Sequence, residues 1–129
     1  MIVVDTSILV DHLRGDDRAR DALTESLRTR ERLCGSVMTK VEILAGMRDG
    51  EEKRTRRLMN LLDWVPVSDP IGERAGELAR VYLRSHPGVD PVDYVIATTT
   101  EHLGADLWTR NSKHFPMFSD IRSPYRRRR

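Results

Sequence analysis

The chain has 129 residues and a mass of 14.9 kDa, with 39% apolar and 33% charged residues. That length predicts one domain able to bury about two-thirds of its unfolded surface, and a single cysteine, Cys34, excludes an internal disulfide framework and fits a reducing compartment. The formal charge of +2 rests on Arg126 to Arg129: without them the 22 basic residues fall to 18 against 20 acidic ones, so the pI near 9.0 marks no basic face.

The chain opens on Ile2 to Val4, a short β-branched run expected of a strand covered on both faces. Asp5 interrupts it far short of a signal-peptide core or of the roughly 20 residues a membrane span needs, so a soluble, cytoplasmic protein without membrane contact is expected. Asp5, Thr6 and Ser7 suit a helix cap, and Ile8, Leu9, His12 and Leu13 then keep helical spacing up to Gly15. A charged amphipathic helix follows over Asp17 to Arg30, with Ala19, Ala22, Leu23 and Leu27 on one face.

Leu33 to Val37 reads as a second strand and Thr39 to Arg48 as a helix with Val41, Leu44, Ala45 and Arg48 on one face. Glu51 to Leu62 is helical, basic outside (Lys53, Arg54, Arg56, Arg57) and apolar inside (Leu58, Leu61, Leu62). Trp64 to Val67 fits a strand. A helix from Pro70 to Arg84 ends before the turn at His86-Pro87-Gly88. Asp90-Pro91 supplies the cap and first residue of the next helix, which runs to Gly104. Ala105 to Thr109 is a further strand, Asn111 to Phe118 a loop, and a last strand is expected near Asp120 to Arg122. Strands alternating with helices predict an α/β fold, a three-layer α/β/α sandwich with a central parallel sheet. One domain is expected over residues 1–123, followed by a basic C-terminal tail, residues 124–129.

In such sheets, sites assemble at the carboxyl ends of the strands, where strand order reverses. Asp5 follows the first strand, Glu42 falls in the first turn of the helix after the second, Asp93 in the first turn of the helix opened by Asp90, and Asn111 just after the last strong strand. All four are expected at that edge. Each also has a plainer structural reading. Thr39-x-x-Glu42 matches a capping box, Asp93 suits the positive end of a helix, and Asp5 suits a strand-to-helix turn. Taken together the acids need compensation, because two carboxylates at about 4 Å repel by about 4 kcal/mol at an effective dielectric near 20. A neutralised acid, a lysine or arginine, or a hard cation would supply it. Helix amino termini favour ionised acids, which points to the cation, and oxygen-only donors select magnesium or manganese over zinc.

Three blocks carry a family resemblance: Val3-Val4-Asp5-Thr6-Ser7; Ser36-x-x-Thr39-x-x-Glu42-x-x-x-Gly46; and Asp93-x-x-Ile96-Ala97 with Thr109-x-Asn111-x-x-His114-Phe115. In order and spacing the chain resembles PIN-domain ribonucleases of the VapC toxin type, over nearly its whole length. The resemblance implies that Asp5, Glu42 and Asp93 stand at the acidic metal-ligand places and that Asn111 takes a fourth catalytic place, often aspartate, which lowers the site's charge by one. It also implies a magnesium-dependent endoribonuclease, with manganese as a substitute, that holds one ion firmly and recruits any second with the substrate phosphate. The implied partners are an RNA substrate, a second copy of the chain and a separate VapB-type antitoxin, docked on apolar surface of the Thr39–Arg48 and Glu51–Leu62 helices. Thr6, Ser7 and Thr109 are expected to orient the acids, and Arg14, Arg110, Lys113 and His114 to meet phosphates. With seven aromatics, most on buried faces, no base-stacking platform is expected.

Other α/β readings fit less well. A dehalogenase-type phosphotransferase needs a second aspartate where Ser7 stands, and a receiver domain needs an acidic pair near the first strand. The alternative within the resemblance is a catalytically degenerate PIN fold serving as an RNA- or protein-binding module, with the acids kept as caps.

Overall fold

In the computed structural model, which describes residues 1–121 and 123–125, the chain runs β1 (Ile2–Val4), α1 (Thr6–Leu13), α2 (Asp17–Arg28), β2 (Leu33–Ser36), α3 (Val37–Ala45), α4 (Glu52–Met59), β3 (Asp63–Val65), α5 (Asp69–Tyr82), α6 (Pro91–Leu103) and β4 (Asp106–Trp108), ending in a single 3-10 turn at Ser112–His114. The strands form one parallel sheet in the order β3-β2-β1-β4. Alternation along β1 explains why every residue in it is apolar: Ile2 and Val4 enter one core layer with Ile8, Leu9, Leu23 and Leu58, while Val3 enters the other with Ala75, Leu78, Tyr94 and Ile96. Helices therefore cover both faces, giving the α/β/α sandwich expected from the sequence.

The strand order places the site. From β1 the chain steps outward to β2 and β3, then returns to add β4 on the opposite flank of β1. The reversal lies between β1 and β4, the position at which open α/β sheets place a binding crevice outside the carboxyl ends of the strands. The backbone N–H of Asp5 donates to Trp108 O at 2.9 Å, carrying the ladder to the rim of that crevice.

Several boundaries differ from expectation. Helix α3 begins at Val37 because Ser36, the last residue of β2, caps it by accepting the Met38 N–H at 3.1 Å. Thr39 therefore lies inside the helix and fully buried, Glu42 falls in the second turn, and the expected Thr39–Glu42 capping box does not form. On α3 the buried side is Thr39 and Ile43; Val41 and Ala45 face outward, Leu44 is half-buried, and Arg48, expected on this helix, lies beyond its end at Ala45 and is exposed. Leu61, expected inside, lies beyond the end of α4 and is exposed, while Leu58 and Leu62 are buried as expected. Asp120 and Ile121 form no strand, and Arg122, the last residue of the expected strand, lies outside the described residues, as does the tail at Arg126–Arg129. Among the described residues no helix is long and apolar enough to cross a membrane.

Candidate active site

Asp5 caps α1 and is 5% exposed. Its Oδ1 accepts the Thr6 N–H at 2.9 Å, and its Oδ2 accepts the hydroxyls of Ser7 at 2.9 Å and Thr109 at 2.7 Å. Those hydroxyls are themselves fixed by the segment that follows β4: Ser7 Oγ accepts the Arg110 N–H at 3.2 Å, and Thr109 Oγ1 accepts the Asn111 N–H at 3.0 Å. Residues a hundred positions apart thus set the rotamer of one carboxylate.

Thr6 performs the same service for Glu42. Its hydroxyl donates to Glu42 Oε1 at 2.8 Å and shares a second hydrogen bond with Thr39 Oγ1 at 3.1 Å. Glu42 as a residue is exposed, yet its carboxylate turns inward against Thr6. Partial loss of water pushes its pKa up; the Thr6 hydrogen bond opposes this, and the charges of Asp90 and Asp5 reinforce it.

Asp93 stands in the first turn of α6, where it and Asp90 form a reciprocal capping box, each accepting the other's backbone N–H at 3.1 Å. The expected capping role is therefore real, and it does not exhaust the carboxylate. Asp93 Oδ2 also lies 3.4 Å from His114 Nδ1. Burial pushes the Asp93 carboxyl up to about 6; the Asp90 N–H and His114 pull the other way, and the charges of Asp90 and Asp5 add to the rise. At Asp93 desolvation thus outweighs the helix end in setting the direction of the shift, and at Glu42, in the second turn of α3, desolvation acts in the same direction.

The crevice also contains an acid that sequence reasoning treated only as a cap. The charge of Asp90 is felt by both Glu42 and Asp93. Its position three residues before Asp93, one helical turn away, is the signal that could have placed it there. Asn111 reaches the same edge: its N–H is held by Thr109, and its carbonyl accepts the His114 N–H at 2.9 Å. Its side-chain amide makes no hydrogen bond among the described residues, leaving it free for a ligand.

Of the four expected phosphate contacts, two are already engaged. Arg14 pairs with Glu51 at 2.9 Å, and Arg110 pairs with Asp11 at 2.8 Å, where Asp11 also accepts the Tyr125 hydroxyl at 2.6 Å. Lys113 forms no ion pair among the described residues, and His114 faces Asp93.

No lysine or arginine among the described residues pairs with Asp5, Glu42, Asp90 or Asp93. Nor do three described His, Cys, Asp or Glu side chains converge into a ready-made metal cage. The acids share one rim, each turned toward its own hydroxyl or N–H donors. An all-oxygen set of uncompensated carboxylates fits a hard divalent cation, and bringing them onto one would remove their mutual repulsion.

The model of the PIN domain matches residues 2–120. The chain belongs to the PIN-domain family. This PIN domain is 42% identical to Ribonuclease VapC19 of Mycobacterium tuberculosis over 125 residues, spanning 97% of this chain and all of that protein. It is 39% identical to Ribonuclease VapC10 of the same organism, spanning 97% of this chain and 93% of that one. Among solved structures it is similar to a toxin-antitoxin complex from Klebsiella pneumoniae, with a TM-score of 0.79, 26% identity, and coverage of 98% of this chain and 99% of that one. PIN-domain ribonucleases of the VapC group are metal-dependent nucleases, in keeping with the oxygen donors found here.

Proposed function

We propose that this PIN domain is a magnesium-dependent endoribonuclease, the toxin of a toxin–antitoxin pair, acting in the cytoplasm to hydrolyse RNA phosphodiester bonds and so inhibit translation and growth. What supports the reading is that Asp5, Glu42 and Asp93, each held by its own hydroxyl or N–H donors, feel one another's charge or that of Asp90 and have no lysine or arginine partner among the described residues. The 42% identity to a ribonuclease along the whole of that relative supports the substrate class.

Asp5 and Asp93 would hold the ion, with Glu42 joining them or orienting the attacking water and Asn111 offering its free amide. A bound magnesium would supply an activated water and stabilise charge developing on the phosphate, and manganese would serve in its place. The chain's own residues do the positioning. Thr109 and Ser7 lock Asp5, Thr6 steers Glu42, and the Asp90 N–H fixes one oxygen of Asp93. With an amide in place of a fourth acid, one ion is held firmly and a second enters only with the substrate phosphate.

The partners are an RNA substrate, a VapB-type antitoxin and a second copy of the chain. Exposed Val41 on α3 and Leu61 after α4 offer apolar surface to the antitoxin, and Val81 and Leu83 at the end of α5, 69% and 59% exposed, offer it to the second copy.

Purified protein incubated with RNA is expected to cleave it in magnesium and to stop in EDTA. Asp5→Asn and Asp93→Asn are expected to remove cleavage while circular dichroism shows an intact fold. Cleavage that persists in EDTA, or full activity in both variants, overturns the assignment.

A further inference from the structure

The Ser112–His114 turn belongs to two places at once. On one side it follows Asn111 and lays His114 against Asp93. On the other, Ser112 and Lys113 line a cavity of about 530 Å³ together with His86, Pro116, Phe118 and Ser119. That volume falls within the range of about 300–1,000 Å³ typical of small-ligand pockets. The chemistry of its walls is mixed in a specific way. Lys113 brings a cation with no carboxylate partner among the described residues. His86 is held edge-on to Tyr82 with ring centroids 5.7 Å apart and is hydrogen-bonded to Ser85 Oγ at 2.8 Å. When Ser85 donates to Nδ1, the other ring nitrogen carries a proton free for an anion. Ser112 and Ser119 add hydroxyls, and half-buried Phe118 and Pro116 add flat apolar faces.

An adjoining cleft of about 490 Å³ beside β4 shares Phe118, Ser119 and Ile121 with that cavity but carries Asp106 and Asp120 and no cation, the wrong sign for a phosphate; a third, of about 360 Å³ on α4, carries Lys53, Arg56 and Arg57 but no aromatic ring. Basic α4 shares no hydrogen bond with the acidic rim, its link running instead from Arg54 Nη2 to Leu13 O. The cavity beside the 3-10 turn combines, among the described residues, a cation without a carboxylate partner, hydroxyls and a ring face on the segment that also carries Asn111 and His114.

We propose that this cavity binds the nucleotide adjoining the scissile phosphate, Lys113 and His86 meeting its phosphate and Phe118 and Pro116 meeting its base. The proposal rests on the ribonuclease reading above and extends it. It also reverses the expectation of no stacking surface, because Phe118, packed against the core on one side, remains only half-buried at the cavity wall, where Phe115 is also present but 1% exposed. A ring face accepts any base, so the subsite supplies affinity with weak sequence preference.

The test uses a fluorescein-labelled single-stranded RNA octamer. Its binding is measured by anisotropy on the Asp5→Asn background across a salt series, and its cleavage is measured in the wild type and in Lys113→Gln and Phe118→Leu. Phe118→Leu is expected to weaken binding by about 10-fold, as loss of one base–aromatic contact does, with Phe118→Tyr restoring it. Lys113→Gln is expected to reduce the slope of log K against log salt by about 0.7, the value for one phosphate contact on a single strand. In the active protein both changes fall on KM with kcat kept. Unchanged binding and salt slope in both variants, with melting temperatures intact, overturn the subsite even if the wild type cleaves. Absent wild-type cleavage with weakened binding in both variants overturns the nuclease reading and leaves the cavity as an RNA-binding site without a scissile phosphate beside it.

Discussion

The Thr109 hydroxyl serves two partners at once, donating to Asp5 Oδ2 and accepting the Asn111 N–H. It is 1% exposed, so no water replaces it when it is removed. Thr109→Val keeps the shape and strands both partners, at an expected cost of about 1–3 kcal/mol, read as a lower urea midpoint. Cleavage is expected to fall with it because Asp5 loses the bond that sets its rotamer, and Thr109→Ser should restore both. An unchanged midpoint and rate in Thr109→Val would show that the network does not orient the acid. At this scale the sequence was informative where one local pattern carried the answer. Asp90-Pro91 with Asp93 three residues later reads directly as a helix start, and it forms the capping box observed. The hydroxyls of Thr6, Ser7 and Thr109 were visible as candidates, but their pairings were not, since Thr6 meets Glu42 across 36 residues and Thr109 meets Asp5 across 104. Asp90 was passed over for the opposite reason: its cap role explained it fully along the chain, and only packing brought its charge to Glu42.

Among the elements, β2 has the least room. A Cβ placed on Gly35 would sit 2.7 Å from Trp64 Cζ3 and 3.0 Å from Cε3, and the indole cannot readily withdraw, because Nε1 donates to Met59 O at 2.9 Å and Lys40 Nζ lies 4.8 Å from a Trp64 ring centroid. Gly35→Ala is therefore expected to destabilise by about 1–3 kcal/mol, the usual cost of overpacking, measured as a fall in melting temperature. A variant as stable as wild type would mean that β3 shifts freely against β2. The order and type of elements were legible because apolar runs and helical spacing alternate cleanly, and Gly104, at φ +61, ends α6 where a left-handed residue is needed. The start of α3 was not. Ser36 and Thr39 are both good caps, and Thr39-x-x-Glu42 offered the stronger local pattern. What decided it was that β2 continues to Ser36 in register with Val65 and turns at once into helix. That shift carries Glu42 into the second turn, freeing its carboxylate from backbone duty.

For the molecule as a whole, the Asp93 carboxylate works against folding at neutral pH. The Asp93 carboxyl rises from 3.8 in the unfolded chain to about 6 in the folded one, so between those values the folded state holds more protons. Stability from this group is therefore present at low pH and declines as pH rises through 6. In EDTA, Asp93→Asn is expected to flatten that decline and to melt above wild type at pH 7.5, since an asparagine oxygen still accepts the Asp90 N–H. Magnesium, favouring ionised acids, is expected to stabilise the wild type more at pH 7.5 than at pH 5. Thermal melts over a pH series with and without the ion measure both effects, and an Asp93→Asn variant less stable than wild type at pH 7.5 would refute the repulsion. The Asp93 carboxylate, which helps make this rim reactive, is thus one the scaffold is better off without. A lesion there disarms the protein and steadies it in one stroke, so escape from its harm demands no sacrifice of abundance: survivors of forced expression should carry plentiful, well-formed and innocuous copies.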